Sequence, residues 1–199
     1  MIALIAPEAF GRRLDAALAR HKSTAWQAPW TPGGSYRWDP IRAAELRWQA
    51  AQRTEGWHVE ETTTPPAGFP DAPTVPYYSV DTDTIFLLPR AWCPDAATWY
   101  RLAFHEACHA TGHGARLGRR MELLRTTATY RPEEELVAEA GAAYLTDYLG
   151  FETWPAHVAY LAHWAQAAHP DALRAAVWEG WQAARWVLGI KPAKGVAWA

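Results

Sequence analysis

A chain of 199 residues, half hydrophobic and 20% charged, has the size and apolar content for one cored domain, which excludes a mainly disordered protein. A formal net charge of -2 excludes a surface that grips nucleic acid by basicity throughout. Two cysteines exclude a disulfide framework and fit a reducing, cytoplasmic setting. The opening residues lack the basic flank of a signal peptide. No apolar run approaches the ~18 residues of a membrane span, so no membrane partner is expected. The absence of Asn, with sixteen Arg against three Lys, fits a thermophilic host and a GC-rich genome equally.

Phe10, Leu14, Ala17 and Leu18 recur with helical period, so residues 7–22 read as a helix. Residues 24–38 are punctuated by Pro29, Pro32, Gly33 and Gly34 and read as a loop rich in aromatic residues. A second helix runs from Pro40, capped by Asp39, to about Arg53. Gly56 to Glu60 reads as a short strand, and residues 62–76, rich in Pro and Thr, as a connector. Tyr77–Val80 and Thr84–Leu88, joined by Asp81, Thr82 and Asp83, read as a hairpin closed by Pro89. The remainder is helical: from Pro94 or Asp95 to Gly112, from Pro132 to Gly150, from Thr153 onward, and from His169 to Gly189. The expected organisation is a short N-terminal region over 1–70, a main domain over 71–190 and a loose tail over 191–199. The fold class is α+β, with a small mixed sheet packed on the helix ending at Gly112 and a helical C-terminal half.

That helix contains His105-Glu106-Ala107-Cys108-His109, an HExxH motif. Side chains four apart share a helix face, so both imidazoles can converge on one zinc ion, with Glu106 placed to take a proton from a water on the metal. A catalytic zinc needs a third protein ligand. A third histidine six residues beyond His109 is ruled out, because Ala115 occupies that place. The next helix carries Glu135-Leu136-Val137-Ala138-Glu139, whose two carboxylates also share a face. Glu135 is assigned as the third ligand and Glu139 as the carboxylate that orients a ligand histidine. Glu133 and Glu134 are accounted for by the favourable charge of acids at a helix N-terminus.

Leu102–His113, Arg116-Leu117, Arg119 and Glu134–Glu139 together resemble the metallopeptidase domain of ArdC-type antirestriction proteins, zincin-like proteins of plasmids and other mobile elements. Tyr78-Ser79, Asp83-Thr84-Ile85 and Leu88-Pro89 look like the strand before that domain's active helix, and Trp164 with the Ala-rich last helix like its end. The resemblance covers roughly residues 75–189. It implies a zincin-like fold, a Zn²⁺ cofactor on His105, His109 and Glu135, Glu106 as catalytic residue, and an antirestriction or other mobile-element role. ArdC-type proteins also carry a longer N-terminal domain that binds single-stranded DNA. Only about seventy residues precede the peptidase-like part here, with Trp26-Gln27-Ala28-Pro29-Trp30 and Tyr36-Arg37 faintly similar to its aromatic motifs.

Trp26, Trp30, Tyr36, Arg37 and Trp38 are therefore candidate contacts for single-stranded nucleic acid, or rings that pin a loop onto the core. Tyr130 and His113 are candidates for stabilising a tetrahedral oxyanion, or structural residues. Arg116, Arg119, Arg120, Arg125 and Arg131 read as a solvated loop with ion pairs, or as a site for an acidic or nucleic-acid substrate beside the cleft. Cys108 reads as a small buried residue, and His157, His163 and His169 as surface or packing residues. Trp164, Trp178, Trp181 and Trp186 read as core packing.

The expected function is zinc-dependent hydrolysis of a protein or peptide substrate, with the strand near Thr84–Leu88 as an edge for an extended chain. One alternative is a nucleic-acid-binding protection factor with a non-catalytic zinc site. Another is a regulatory protease acting on one repressor or DNA-bound protein.

Overall fold

The computed structural model describes residues 4–21, 41–64, 74–124 and 130–191. Helix α1 spans Pro7–Leu18, α2 Arg42–Glu55, α3 Ala96–Thr111, α4 Tyr130–Tyr148, α5 Trp154–Ala165 and α6 Ala172–Val187. Strands β1 His58–Glu61, β2 Tyr77–Ser79 and β3 Thr84–Leu87 form one sheet in the order β1-β3-β2. The expected α+β architecture with a small mixed sheet is the one observed. No helix among the described residues is long and apolar enough to cross a membrane.

Local chemistry explains the elements. Pro7 opens α1, where its missing N–H costs nothing, and Phe10 and Leu14 bury the inner face. Helix α2 buries Ala44, Trp48 and Ala51 along one stripe and stops at Gly56, whose φ of 65° is left-handed. Its N-cap position is Ile41; Asp39 and Pro40 lie outside the described residues. Asp95 caps α3 by accepting the Thr98 N–H at 2.7 Å. Helix α4 begins at Tyr130, two residues earlier than the pattern suggests, and accommodates Pro132 in its first turn.

The sheet corrects one expectation. Strand β3 is central: it pairs parallel with β1 (Val59 opposite Ile85) and antiparallel with β2 (Tyr78 opposite Ile85). Thr84–Leu87 therefore offers no free edge. The hairpin was visible locally, but a parallel partner some 25 residues upstream leaves no local signature. The suggested boundary near residue 70 falls between two strands of this one sheet. Phe10, Leu14 and Trp48 from before it share a single hydrophobic cluster with Trp99, Phe104 and Tyr144 from after it.

Helix α4 runs through the centre, with every residue from Leu136 to Thr146 buried against α3, α5 and α6. Such a helix is apolar all round, and small side chains let its neighbours approach. The tightest point is Gly141 against Gly180: a Cβ on Gly180 would lie 2.7 Å from the Gly141 nitrogen, and one on Gly141 would lie 2.6 Å from Cys108 Sγ. Helix propensity favours Ala over Gly by about 1 kcal/mol, whereas overpacking against backbone costs about 1–3 kcal/mol. Gly180→Ala is expected to lose about 1–2 kcal/mol net, read as a lower urea midpoint at unchanged slope. Gly114→Ala, with nothing within 4 Å, serves as the neutral control. A stabilised Gly180→Ala would mean the helices sit farther apart than described.

Candidate metal centre

The site lies where α3, α4 and α5 meet. His105 and His109, one turn apart on α3, set their Nε2 atoms 3.1 Å apart. Glu135 Oε2, from α4, lies 3.3 Å from His105 Nε2 and 3.7 Å from His109 Nε2. A tetrahedral ion with ligands at about 2.0–2.2 Å holds its donor atoms about 3.3–3.6 Å apart, and the three separations bracket that range. Among the described residues, it is the group of His, Cys and acidic side chains whose donor atoms converge, all within 4.8 Å of one another.

The far sides of both imidazoles reinforce the fit. His105 Nδ1–H donates to Glu139 Oε2 at 2.7 Å, and His109 Nδ1–H donates to Glu134 Oε1 at 3.1 Å. A carboxylate only accepts, so a ring proton is held on Nδ1 and Nε2 is the nitrogen each ring turns toward the centre. Each orienting carboxylate is itself held. Glu139 Oε1 accepts from Arg101 Nη1 at 3.0 Å and from His157 Nδ1 at 2.7 Å. Glu134 takes a two-pronged contact from Arg119, Nε to Oε2 at 2.9 Å and Nη2 to Oε1 at 2.7 Å. The same Arg119 donates to the Cys108 carbonyl at 2.7 Å, satisfying an acceptor near the end of α3.

The charges follow from this packing. Burial alone would lower the His105 and His109 pKa values, but the neighbouring carboxylates outweigh it and raise them to about 10 and about 9 without metal. Burial would raise Glu135, and its hydrogen bonds with the two histidines hold it well below the ordinary carboxylate range. Glu106 differs: it is only 5% exposed, and burial wins over the attraction of the histidines, so its pKa is raised.

Other expected residues fall elsewhere. Tyr130 lines a cavity of about 260 Å³ between the start of α4 and α6, with Glu133, Glu134, Val137, His169 and Glu179. His113 lies beyond α3, where its Nδ1 accepts the Ala115 N–H at 3.2 Å and stands 4.0 Å from Asp83 Oδ2. Trp26, Trp30, Tyr36, Arg37 and Trp38 lie outside the described residues. Cys108 is fully buried, with burial pushing its thiol pKa up, as suits a small packing residue. Trp178 and Trp181 stack at 5.1 Å, and Trp186 Nε1 donates to Glu55 at 2.6 Å.

Three readings need correction. Glu134 is 2% exposed and orients His109, so it does more than complement the helix dipole. His157, 1% exposed, belongs to the Glu139 network and is no ordinary packing residue. Arg116 and Arg119 keep side-chain exposures of 6% and 8% in ion pairs with Asp83 and Glu134, so neither belongs to a solvated loop. Arg101 and Tyr160 were missed altogether; Tyr160 donates to Glu135 Oε2 at 2.7 Å. A signal for Arg101 was present: a lone charge among Trp99, Tyr100, Leu102, Ala103 and Phe104 needs a buried partner.

Residues 69–177 match the family model described as a zincin-like metallopeptidase. The chain belongs to that family. It is 33% identical over 135 residues to a protein named DNA primase TraC from Escherichia coli, covering 67% of this chain and 12% of that one. It is also 33% identical over 96 residues to the uncharacterized protein y4eC of Sinorhizobium fredii, covering 48% of this chain and 31% of that one. Among solved structures it resembles the antirestriction protein ArdC from plasmid R388. The metal-free form matches at 28% identity with a TM-score of 0.51, over 77% of this chain and 51% of that one. The Mn(II)-bound form matches at 24% identity and 0.50, over 76% and 53%. The chain thus spans about an eighth of its TraC relative and about half of ArdC.

Proposed function

We propose that the chain is a metal-dependent peptidase, with zinc held by His105, His109 and Glu135, in an antirestriction or related mobile-element role. The observation that carries this reading is the convergence of those three donors, with Glu106, buried, next to His105 in the chain. His105, His109 and Glu135 would hold a divalent ion, and the chemistry it would supply there is an acidified water and a polarised carbonyl. Glu106 would take a proton from the attacking water as the water oxygen bonds to the scissile carbonyl carbon. Glu106 then delivers that proton to the amide nitrogen as the C–N bond breaks. Glu139 and Glu134 keep both imidazoles in the tautomer that leaves Nε2 free. An extended substrate would pair with an outer strand of the sheet, β1 or β2, because β3 is occupied on both sides. The likeness to the antirestriction protein ArdC of plasmid R388 supports the mobile-element context.

The test is metal uptake and peptide cleavage by the same samples. The wild type is expected to hold one zinc and to lose cleavage of a peptide library on chelation. Glu135→Ala is expected to weaken zinc binding by at least about 100-fold, while Glu133→Ala stays within about twofold. Equal losses in the two variants would place the third ligand elsewhere. A zinc-loaded protein that cleaves no peptide in the library would overturn the peptidase reading.

A further inference from the structure

Each histidine of the centre has an outer partner that fixes it: Glu139 for His105 and Glu134 for His109. The third donor, Glu135, needs one too, because a carboxylate on a single χ3 axis can turn either oxygen, or neither, toward an ion. Arg131 is a poor candidate. Its Nε stands 3.8 Å from Glu135 Oε1, and its side chain is 65% exposed, where solvent screens the pair. The hydroxyl of Tyr160 on α5 is a better one. It donates at 2.7 Å to Glu135 Oε2, the oxygen that faces both His Nε2 atoms.

The ring of Tyr160 is placed as well as its hydroxyl. It meets the His105 imidazole edge-on, with centroids 5.3 Å apart at 77°. Tyr160 thus touches two of the three donors, one through its oxygen and one through its ring. It stands one turn after His157, so one face of α5 reaches both Glu135 and Glu139. The choice of a neutral donor is chemically apt. An arginine at this place would cancel the charge that Glu135 offers a cation, whereas an O–H group fixes the carboxylate and leaves its charge in place.

We propose that Tyr160 is the positioning residue for Glu135, presenting Oε2 to the metal and holding His105 in its plane. This inference rests on the metal-centre reading and deepens it. Nothing in it requires Tyr160 to touch substrate; it acts through the two donors it contacts.

The variant Y160F removes one oxygen and keeps the ring, so the fold is expected to persist, with the urea midpoint of the chelated protein as control. Zinc affinity, by competition with a chromophoric chelator, is expected to fall about tenfold. The visible absorption of the cobalt-substituted protein is expected to shift, because the carboxylate's approach to the ion changes. In an E135A background, Y160F is expected to cost less than twofold further, since the residue it positions has gone. Unchanged affinity and spectrum in Y160F, with a wild type that binds zinc, would overturn the inference alone. An equal loss in the E135A background would also overturn it, by showing that Tyr160 acts through something other than Glu135. A wild type that takes up no metal would instead fail the reading of the centre.

Discussion

Glu106→Gln is expected to lower peptide hydrolysis by about 10²–10⁴-fold while zinc content stays at one per chain. The substitution keeps volume and one oxygen acceptor but removes the ability to take a proton. Glu106 is 5% exposed and follows His105 directly in the chain, so the substitution acts at a buried position next to the converging donors. It is not one of the three converging donors, so metal uptake is expected to survive its substitution. The loss corresponds to about 2.7–5.5 kcal/mol of barrier, too large for a mere change in local packing at an isosteric site. Single-turnover cleavage by zinc-loaded wild type and variant, with metal analysis of both, decides the point. A variant that keeps more than a tenth of the rate would remove Glu106 from the chemistry. If protection of incoming DNA in a restricting host is undiminished by the same change, the biological role does not run through hydrolysis.

The parts of the site written within one helical turn were legible in the chain; those that depend on distant segments were not. The spacing of His105 and His109 requires only the 3.6-residue period, and ExxAE puts Glu135 and Glu139 on one face by the same rule. Glu134 was obscured by its own neighbourhood, because an acid in a first turn already has a local explanation. Its buried role depends on Arg119, fifteen residues upstream in an irregular segment whose path no periodicity reveals. The same limit applied to β3, whose parallel partner β1 comes from across a long connector. Arg101 and His157 are a different case. Each is a polar group within an apolar helix stretch, and the cost of burying such a group was itself the clue to a shared acceptor. Tyr160 carried no such sign, since a tyrosine in an amphipathic helix packs well without any special partner.

Glu139→Ala is expected to destabilise the chelated protein by about 3–5 kcal/mol. The carboxylate accepts from three groups that are themselves out of water. Arg101 keeps 3% of its side-chain exposure, His157 1% and His105 7%. Removing their common acceptor strands a guanidinium in an apolar helix interface, and an unpaired buried cation costs far more than a lost pairwise attraction. A surface pair gives the scale: Arg13 and Asp147 meet at 2.5 Å but keep 44% and 31% exposure, so Asp147→Ala is expected to cost no more than about 1 kcal/mol. Urea unfolding with chelator present isolates this term from metal binding, which would otherwise add its own stabilisation. Restoring zinc then reads the second consequence. The freed His105 imidazole loses its fixed tautomer, and affinity is expected to fall about 10–100-fold. The two effects have separate origins, Arg101 for stability and His105 for affinity. Arg101→Leu combined with Glu139→Ala is therefore expected to recover much of the stability and none of the zinc affinity. Recovery of both would mean that Glu139 orients His105 only by keeping the helices in place.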